Sequence, residues 1–179
     1  MSAEDTLVAD LLSEYKRYRL LAEKAMGQMA DDGLNVVPPH DCNSVAMIVF
    51  HMSGNLRSRF TDFLTEDGEK PWRQRDEEFA SRNCTRDEVL SLWNSGWAVL
   101  EREVSALTDA DLPRTVTIRR QPLTVHAALC RSIAHVAYHV GQIVLLARTM
   151  TDEPWRTLSI GKGQSAEYNK KPTSEKVPS

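Results

Sequence analysis

The strongest constraint on the fold is the return of apolar residues at three-, four- and seven-residue spacing over long stretches, the period of a helix buried along one face. Leu7, Leu11, Tyr15, Tyr18, Ala22 and Met29 follow that period. They predict a first helix over 4–29, ended by DDGLNVVPPH, where Gly33 can take a positive φ and Pro38-Pro39 cannot extend a helix. A second helix over 43–64 is expected behind an Asp41 or Asn43 N-cap, with SVAMIVFHM as its apolar body. A third, over 86–107, opens on the capping box Thr85-Arg86-Asp87-Glu88 and turns Val89, Leu92, Trp93, Trp97, Leu100 and Val104 to one side. A fourth runs over 124–150.

The connections differ in length. TEDGEKPWRQRDEEFASRN mixes turn residues, charges and isolated aromatics, and reads as a long link with at most a short helix. After the third helix, Asp109 and Pro113 break the pattern, and the β-branched stretch from Thr115 to Arg119 alternates as one strand of a small hairpin. Four amphipathic helices without an internal repeat predict an all-α chain, a four-helix bundle with a short β-hairpin before the last helix. We expect one domain over 1–179, a C-terminal arm over 151–170 and a disordered tail over 171–179.

Composition removes several function classes. Lys and Arg total 22 against 25 Asp and Glu, a net charge of -3, so no broad basic field draws the chain to nucleic acid. MSAEDTLVAD lacks the basic and apolar regions of a signal peptide and the apolar runs fall short of a membrane span, which predicts a cytoplasmic protein that does not engage a membrane. Cys42, Cys84 and Cys130 are far apart with no C-x-x-C pair, so they read as small buried hydrophobes rather than a disulfide framework or zinc knuckle. Gly161-Lys162-Gly163-Gln164-Ser165 lacks the spacing and the strand–helix setting of a phosphate loop.

The chemistry concentrates in histidines. His135 and His139 are four apart on the fourth helix, one turn along the same face, so both imidazoles can reach one ion. Such a pair arises by chance in roughly one sequence in nine of this histidine content, so the spacing alone decides little. His51, in the middle of MIVFHM, sits on a second inward-facing helix, and facing helices build metal sites from inward side chains. The residues leave two readings open: a facial triad with free positions, or three separately hydrogen-bonded core histidines. His126 lies about 180° round the helix from His135, and His40 is roughly 16 Å from His51 if the intervening chain is helical, so neither joins them. Val136 stands where a zinc protease carries its glutamate, and Ile48, Ser132 and Val136 stand where a di-iron bundle would carry Glu-x-x-His pairs. Asn55 and Gln142 fall on the same faces as possible hydrogen-bonding neighbours, Tyr138 as a surface tyrosine, and Trp93 and Trp97 as core.

His51 in FHMSGNLRSRF followed by H-x-x-x-H in AHVAYHVGQI resembles the DinB/YfiT-like superfamily. HMSGNLRSRFTDFLTEDGEKPWR, HVGQIVLLAR and WRTLSIGKGQSAEYN resemble, within it, the branch known as DUF1572, over roughly residues 5 to 170. The resemblance implies an up-down-down-up bundle, usually homodimeric, with a divalent metal held by His51, His135 and His139. It also implies a C-terminal arm folded back on the bundle near the cavity mouth, which Trp155 and Leu158 would anchor. Relatives in the superfamily include thiol transferases, so a metal-dependent transfer of a low-molecular-weight thiol to an electrophilic small molecule is the leading expectation. Zinc or nickel is favoured over iron or manganese as the ion. Metal-dependent hydrolysis, with Asp67 or Glu69 approaching from a loop as base, and a non-enzymatic metal-binding or stress-response role are the alternatives.

Overall fold

The computed structural model describes residues 6–172. Four long helices carry it: α1 (Leu7–Met26), α2 (Val45–Phe60), α3 (Arg86–Ser105) and α4 (Val125–Met150). Each opens on a hydroxyl that accepts from a backbone N–H of the first turn: Thr6, Ser44, Thr85 and Thr124. Thr85 and Glu88 cap each other reciprocally, as the sequence predicts. The second helix is capped by Ser44 rather than Asp41 or Asn43, because His40 and Asp41 occupy a turn at φ of 65° and 58° and the chain enters helical geometry only beyond them. That helix also stops short of 64: Thr61 is extended and Asp62 has φ of 50°, so Phe63 reaches the core from a turn and packs on Phe60 at 5.1 Å.

Contacts at the helix ends set the directions. Tyr15 donates to the Leu129 carbonyl at 3.0 Å near the starts of α1 and α4, and Thr151 donates to the Gln28 carbonyl at 2.9 Å at their ends, so these two run parallel. Arg86 at the start of α3 donates to the carbonyls of Met26 and Met29, while Asp109 beyond its end accepts from the N–H groups of Leu7 and Val8. α3 is therefore antiparallel to α1, and Asp109 caps the dipole of α1 from another element. Phe60 at the end of α2 meets Tyr15 at 6.2 Å, and Asn35 ahead of α2 exchanges hydrogen bonds with Cys84 ahead of α3. α2 thus descends beside α3, and the order is up-down-down-up.

The core fills the space between these helices. Tyr15, Trp93, Trp97 and Phe60 are its largest side chains, all fully buried, and Trp93 donates its indole N–H to Glu23 at 3.1 Å. Gly96 lets α3 approach α2, since a Cβ there would stand 2.8 Å from the Ser53 Cα. The cysteines differ from expectation: Cys42 and Cys130 are exposed and Cys84 is half-buried. Cys42 sits in the α1–α2 turn and Cys130 on the outer face of α4, both turned to solvent, while Cys84, at the entrance to α3, packs only against the edge of the core. By length and mean hydropathy α4 suffices to cross a bilayer, contrary to the reading of apolar runs, because its alanines and aliphatics are spread around the helix rather than contiguous. One face of it packs on α1 and α2.

The expected hairpin is present, with β1 (Thr115–Ile118) paired antiparallel to β2 (Gln121–Thr124) and the chain running on into α4. Its two turn residues, Arg119 and Arg120, both have positive φ, 54° and 62°. That is the two-residue geometry usually supplied by Asn-Gly, and side chains this long take it at a cost. The Asp67 carboxylate accepts from both turn N–H groups, at 2.8 and 2.7 Å, and Gly68 donates to the Thr117 carbonyl at 2.8 Å. The long link after α2 is thereby tied to the hairpin. The C-terminal arm folds back as expected, with Trp155 and Leu158 against the core and Gln28 bonded to both the N–H and the carbonyl of Arg156. It seats on the end of α1 and supplies no residue to the cavity beside the histidines, so its expected place at the cavity mouth is corrected. In the tail expected to be disordered, residues 173–179 lie outside the described residues.

Candidate metal centre

Three histidines meet where α2 faces α4. His51 projects from the middle of α2, and His135 and His139 lie one turn apart on α4. One nitrogen from each lies within 4.8 Å of the other two, and the Nε2 atoms of His51 and His135 are 3.1 Å apart. His51 and His139 are buried and His135 half-buried. His51, His135 and His139 therefore form one cluster, a group that could hold a metal ion, rather than three separate sites.

The remaining ring nitrogens are arranged as ligand histidines need. His51 Nδ1 is 2.9 Å from Glu78 Oε2, and His139 Nδ1 is 2.8 Å from Gln142 Oε1, so each ring donates its N–H outward and turns Nε2 inward. Glu78 is held in turn by Arg73, whose Nε and Nη2 donate to its two oxygens at 2.8 and 2.9 Å. Phe79 stacks on the His51 ring at 4.7 Å and 29°. His135 Nδ1 is buried with no hydrogen-bond partner among the described residues, so this ring lacks the outward brace of the other two.

Electrostatics favour the neutral, lone-pair form. Burial, reinforced by the positive potential of His139, His51, Arg73 and Arg59, pushes the His135 imidazole down to about 3. Burial and His51 push His139 down to about 4, against the opposing bond to Gln142. Glu78 stays ionised: burial opposes its charge, but hydrogen bonds from His51 and Arg73 and the Arg73 guanidinium hold it below the usual carboxylate range. Neutral His135 and His139 beside a third imidazole that an anionic carboxylate holds suit a divalent ion, so the donor set fits a metal.

The cluster opens into a cavity of about 480 Å³ between α2, α4 and the hairpin. Asn55, Gln142 and Tyr138 line it; Tyr138 is 64% exposed, with its ring centroid 5.0 Å from that of His139 in an edge-on arrangement. His126 is exposed and pairs with Cys130 at 3.4 Å, and His40 is exposed in its turn, so both stay outside as expected. Asp67 and Glu69 do not supply a free base. Asp67 accepts three backbone N–H bonds that outweigh burial and hold it at about 2, and Glu69 is paired with Arg59 at 3.1 Å and Arg119 at 3.0 Å. The carboxylate beside the histidines is Glu78, delivered by a single 3-10 turn, Asp76–Phe79, in the charged link.

Residues 3–164 match the family described as protein of unknown function, DUF1572. The chain belongs to the DUF1572 family. No curated protein and no solved structure matches it. All three histidines of this DUF1572 chain, together with Glu78 and Gln142, fall inside the matched span.

Proposed function

We propose that this DUF1572 chain is a divalent-metal-dependent enzyme acting on small molecules, with His51, His135 and His139 as the ligands. The observation that carries the reading is the gathering of three imidazoles, two of them braced from outside by Glu78 and Gln142, at the inner end of an open cavity. A three-histidine set leaves positions for water or substrate, which is the arrangement of a catalytic rather than a structural ion. Bound there, a divalent ion would act as a Lewis acid and lower the pKa of a thiol or water beside it.

The chain's own residues hold and orient. Glu78 and Gln142 fix the rings of His51 and His139, Phe79 covers one face of His51, and Tyr138 stands at the rim where an incoming molecule passes. Among the described residues no Asp or Glu lines the cavity, and a hydrolytic base is what that absence leaves unsupplied. Transfer of a low-molecular-weight thiol needs no such base once the thiolate forms, and the resemblance to the DinB/YfiT-like superfamily points the same way. In that reaction the thiol proton passes to solvent, a carbon–sulfur bond forms and the leaving group departs from the electrophilic carbon.

The test is a transfer assay with metal-loaded protein, offering bacillithiol, mycothiol, glutathione and coenzyme A to a chlorinated aromatic. Thioether and chloride produced in equal amounts, and lost in His135→Ala, is the expected result. No transfer from any of the four thiols would remove the thiol reading, and metal analysis of the same samples keeps the metal site separately testable.

A further inference from the structure

We infer that the cavity beside the three histidines takes a small organic anion, a carboxylate or phosphate gripped by Arg131, Arg119 and Arg75, with its apolar body against Phe60, Phe63 and Ile118. The inference deepens the metal-site reading and rests on it for where the reacting end of the molecule would sit. Its own support is the distribution of charge. Five arginines line the cavity, Arg59, Arg73, Arg75, Arg119 and Arg131, and among the described residues no carboxylate does.

The counterions behind the wall are too few. Arg73 is neutralised by Glu78, but Arg59 and Arg119 share the single carboxylate of Glu69. Arg75 stands 3.6 Å from Asp76, whose side chain is 99% exposed, a pair that solvent reduces to little. Arg131 has no ion-pair or hydrogen-bond partner among the described residues. The guanidiniums also oppose one another: Arg73 and Arg119 both act against the charge of Arg59. Positive charge gathered round a half-enclosed space, with no anion on the wall, is satisfied by an anion that enters.

Two of these arginines are placed rather than scattered. Arg131 lies one turn before His135 on α4, so it shares the face that carries the ligands. Arg119 occupies the first position of the positive-φ hairpin turn that Asp67 holds by two N–H bonds, a geometry that turns it toward Glu69 and the cavity. Guanidinium forks match carboxylate and phosphate oxygens in pairs, which a lysine or a hydroxyl does not. The rest of the wall is apolar at Phe60, Phe63 and Ile118, and the volume of about 480 Å³ lies within the range of small-molecule sites.

The experiment is calorimetric titration of metal-loaded and metal-stripped protein with phenylacetate, phenyl phosphate and neutral phenylacetamide. Wild type, Arg119→Gln, Arg131→Gln, their double variant and Arg148→Gln outside the cavity are compared, with metal content measured on each sample. The expected result is that at least one anion binds about tenfold tighter than the amide and weakens about tenfold in each cavity variant. Amide binding, metal content and Arg148→Gln would match wild type. Which anion leads distinguishes carboxylate from phosphate. Amide binding as tight as both anions, or anion binding unchanged in the double variant, overturns the inference. Metal uptake without anion preference counts against this inference alone, whereas anion preference without metal uptake supports it and counts against the metal reading.

Discussion

His51 and Glu78 are joined by a 2.9 Å hydrogen bond from an imidazole on α2 to a carboxylate on the 3-10 turn that follows it, and Arg73 grips the same carboxylate through both oxygens. The relay sets the tautomer of His51 and aims its Nε2 at the other two rings. Glu78→Gln removes the charge while keeping an acceptor. We expect metal affinity to fall about 10- to 100-fold, read by chelator competition. Arg73, whose side chain is 2% exposed, would lose its counterion, so the melting temperature should fall too, by the equivalent of up to about 3 kcal/mol. Metal affinity equal to wild type in a folded Glu78→Gln protein would show that the carboxylate does not brace the site.

Gly54 makes room for that carboxylate. A Cβ at this position would come within 2.1 Å of Glu78 Oε1, whereas one at Gly141 on the outer face of α4 meets nothing within 4 Å. Gly54→Ala should therefore displace Glu78 and weaken metal binding about tenfold or more, despite the gain in helix propensity. Gly141→Ala should leave metal affinity alone and raise stability by about 0.5–1 kcal/mol. Chelator competition and thermal unfolding of the two variants side by side separate the effects. Tight metal binding in Gly54→Ala would contradict the assignment of Glu78.

Acid should loosen the metal-free protein through the histidines. His135 and His139 titrate at about 3 and about 4 in the fold, because burial disfavours their charged forms, against an ordinary value of 6.5. Between those limits the unfolded chain binds more protons than the folded one, so stability rises with pH and is lost as pH falls below 6.5. We expect the apo melting temperature to be level above about pH 7 and to decline from pH 6.5 to 5, before most carboxylates titrate, with a smaller decline in His135→Gln. An apo melting temperature independent of pH across 6.5 to 5 would contradict buried, neutral rings.

The bundle was legible because burial on one face leaves a period, and the four long helices follow that period to within a few residues at their ends. His51, His135 and His139 were legible for the same reason: each sits on a regular helix whose inward face the apolar pattern reveals. Helix direction is not written in periodicity, and up-down-down-up came from resemblance before end contacts such as Tyr15 to Leu129 showed it. Glu78 was missed because it arrives on an aperiodic link, where an acid among arginines looks like solvated surface. Arg73 and Arg75 were hidden in the same way, and Arg119 because a strand-end arginine gives no sign of the turn that aims it. The one local signal was Phe79, an isolated aromatic beside the acids in DEEF, which the fold stacks on His51.

Metal stoichiometry tests the central claim most directly. Protein stripped with a chelator and reloaded with zinc or nickel is measured as wild type, His51→Ala, His135→Ala, His139→Ala and, as an outside control, His126→Ala. We predict about one tightly held ion per chain in wild type and His126→Ala, and its loss in each of the other three. Equal metal content in wild type and His135→Ala would contradict a centre built from these three histidines.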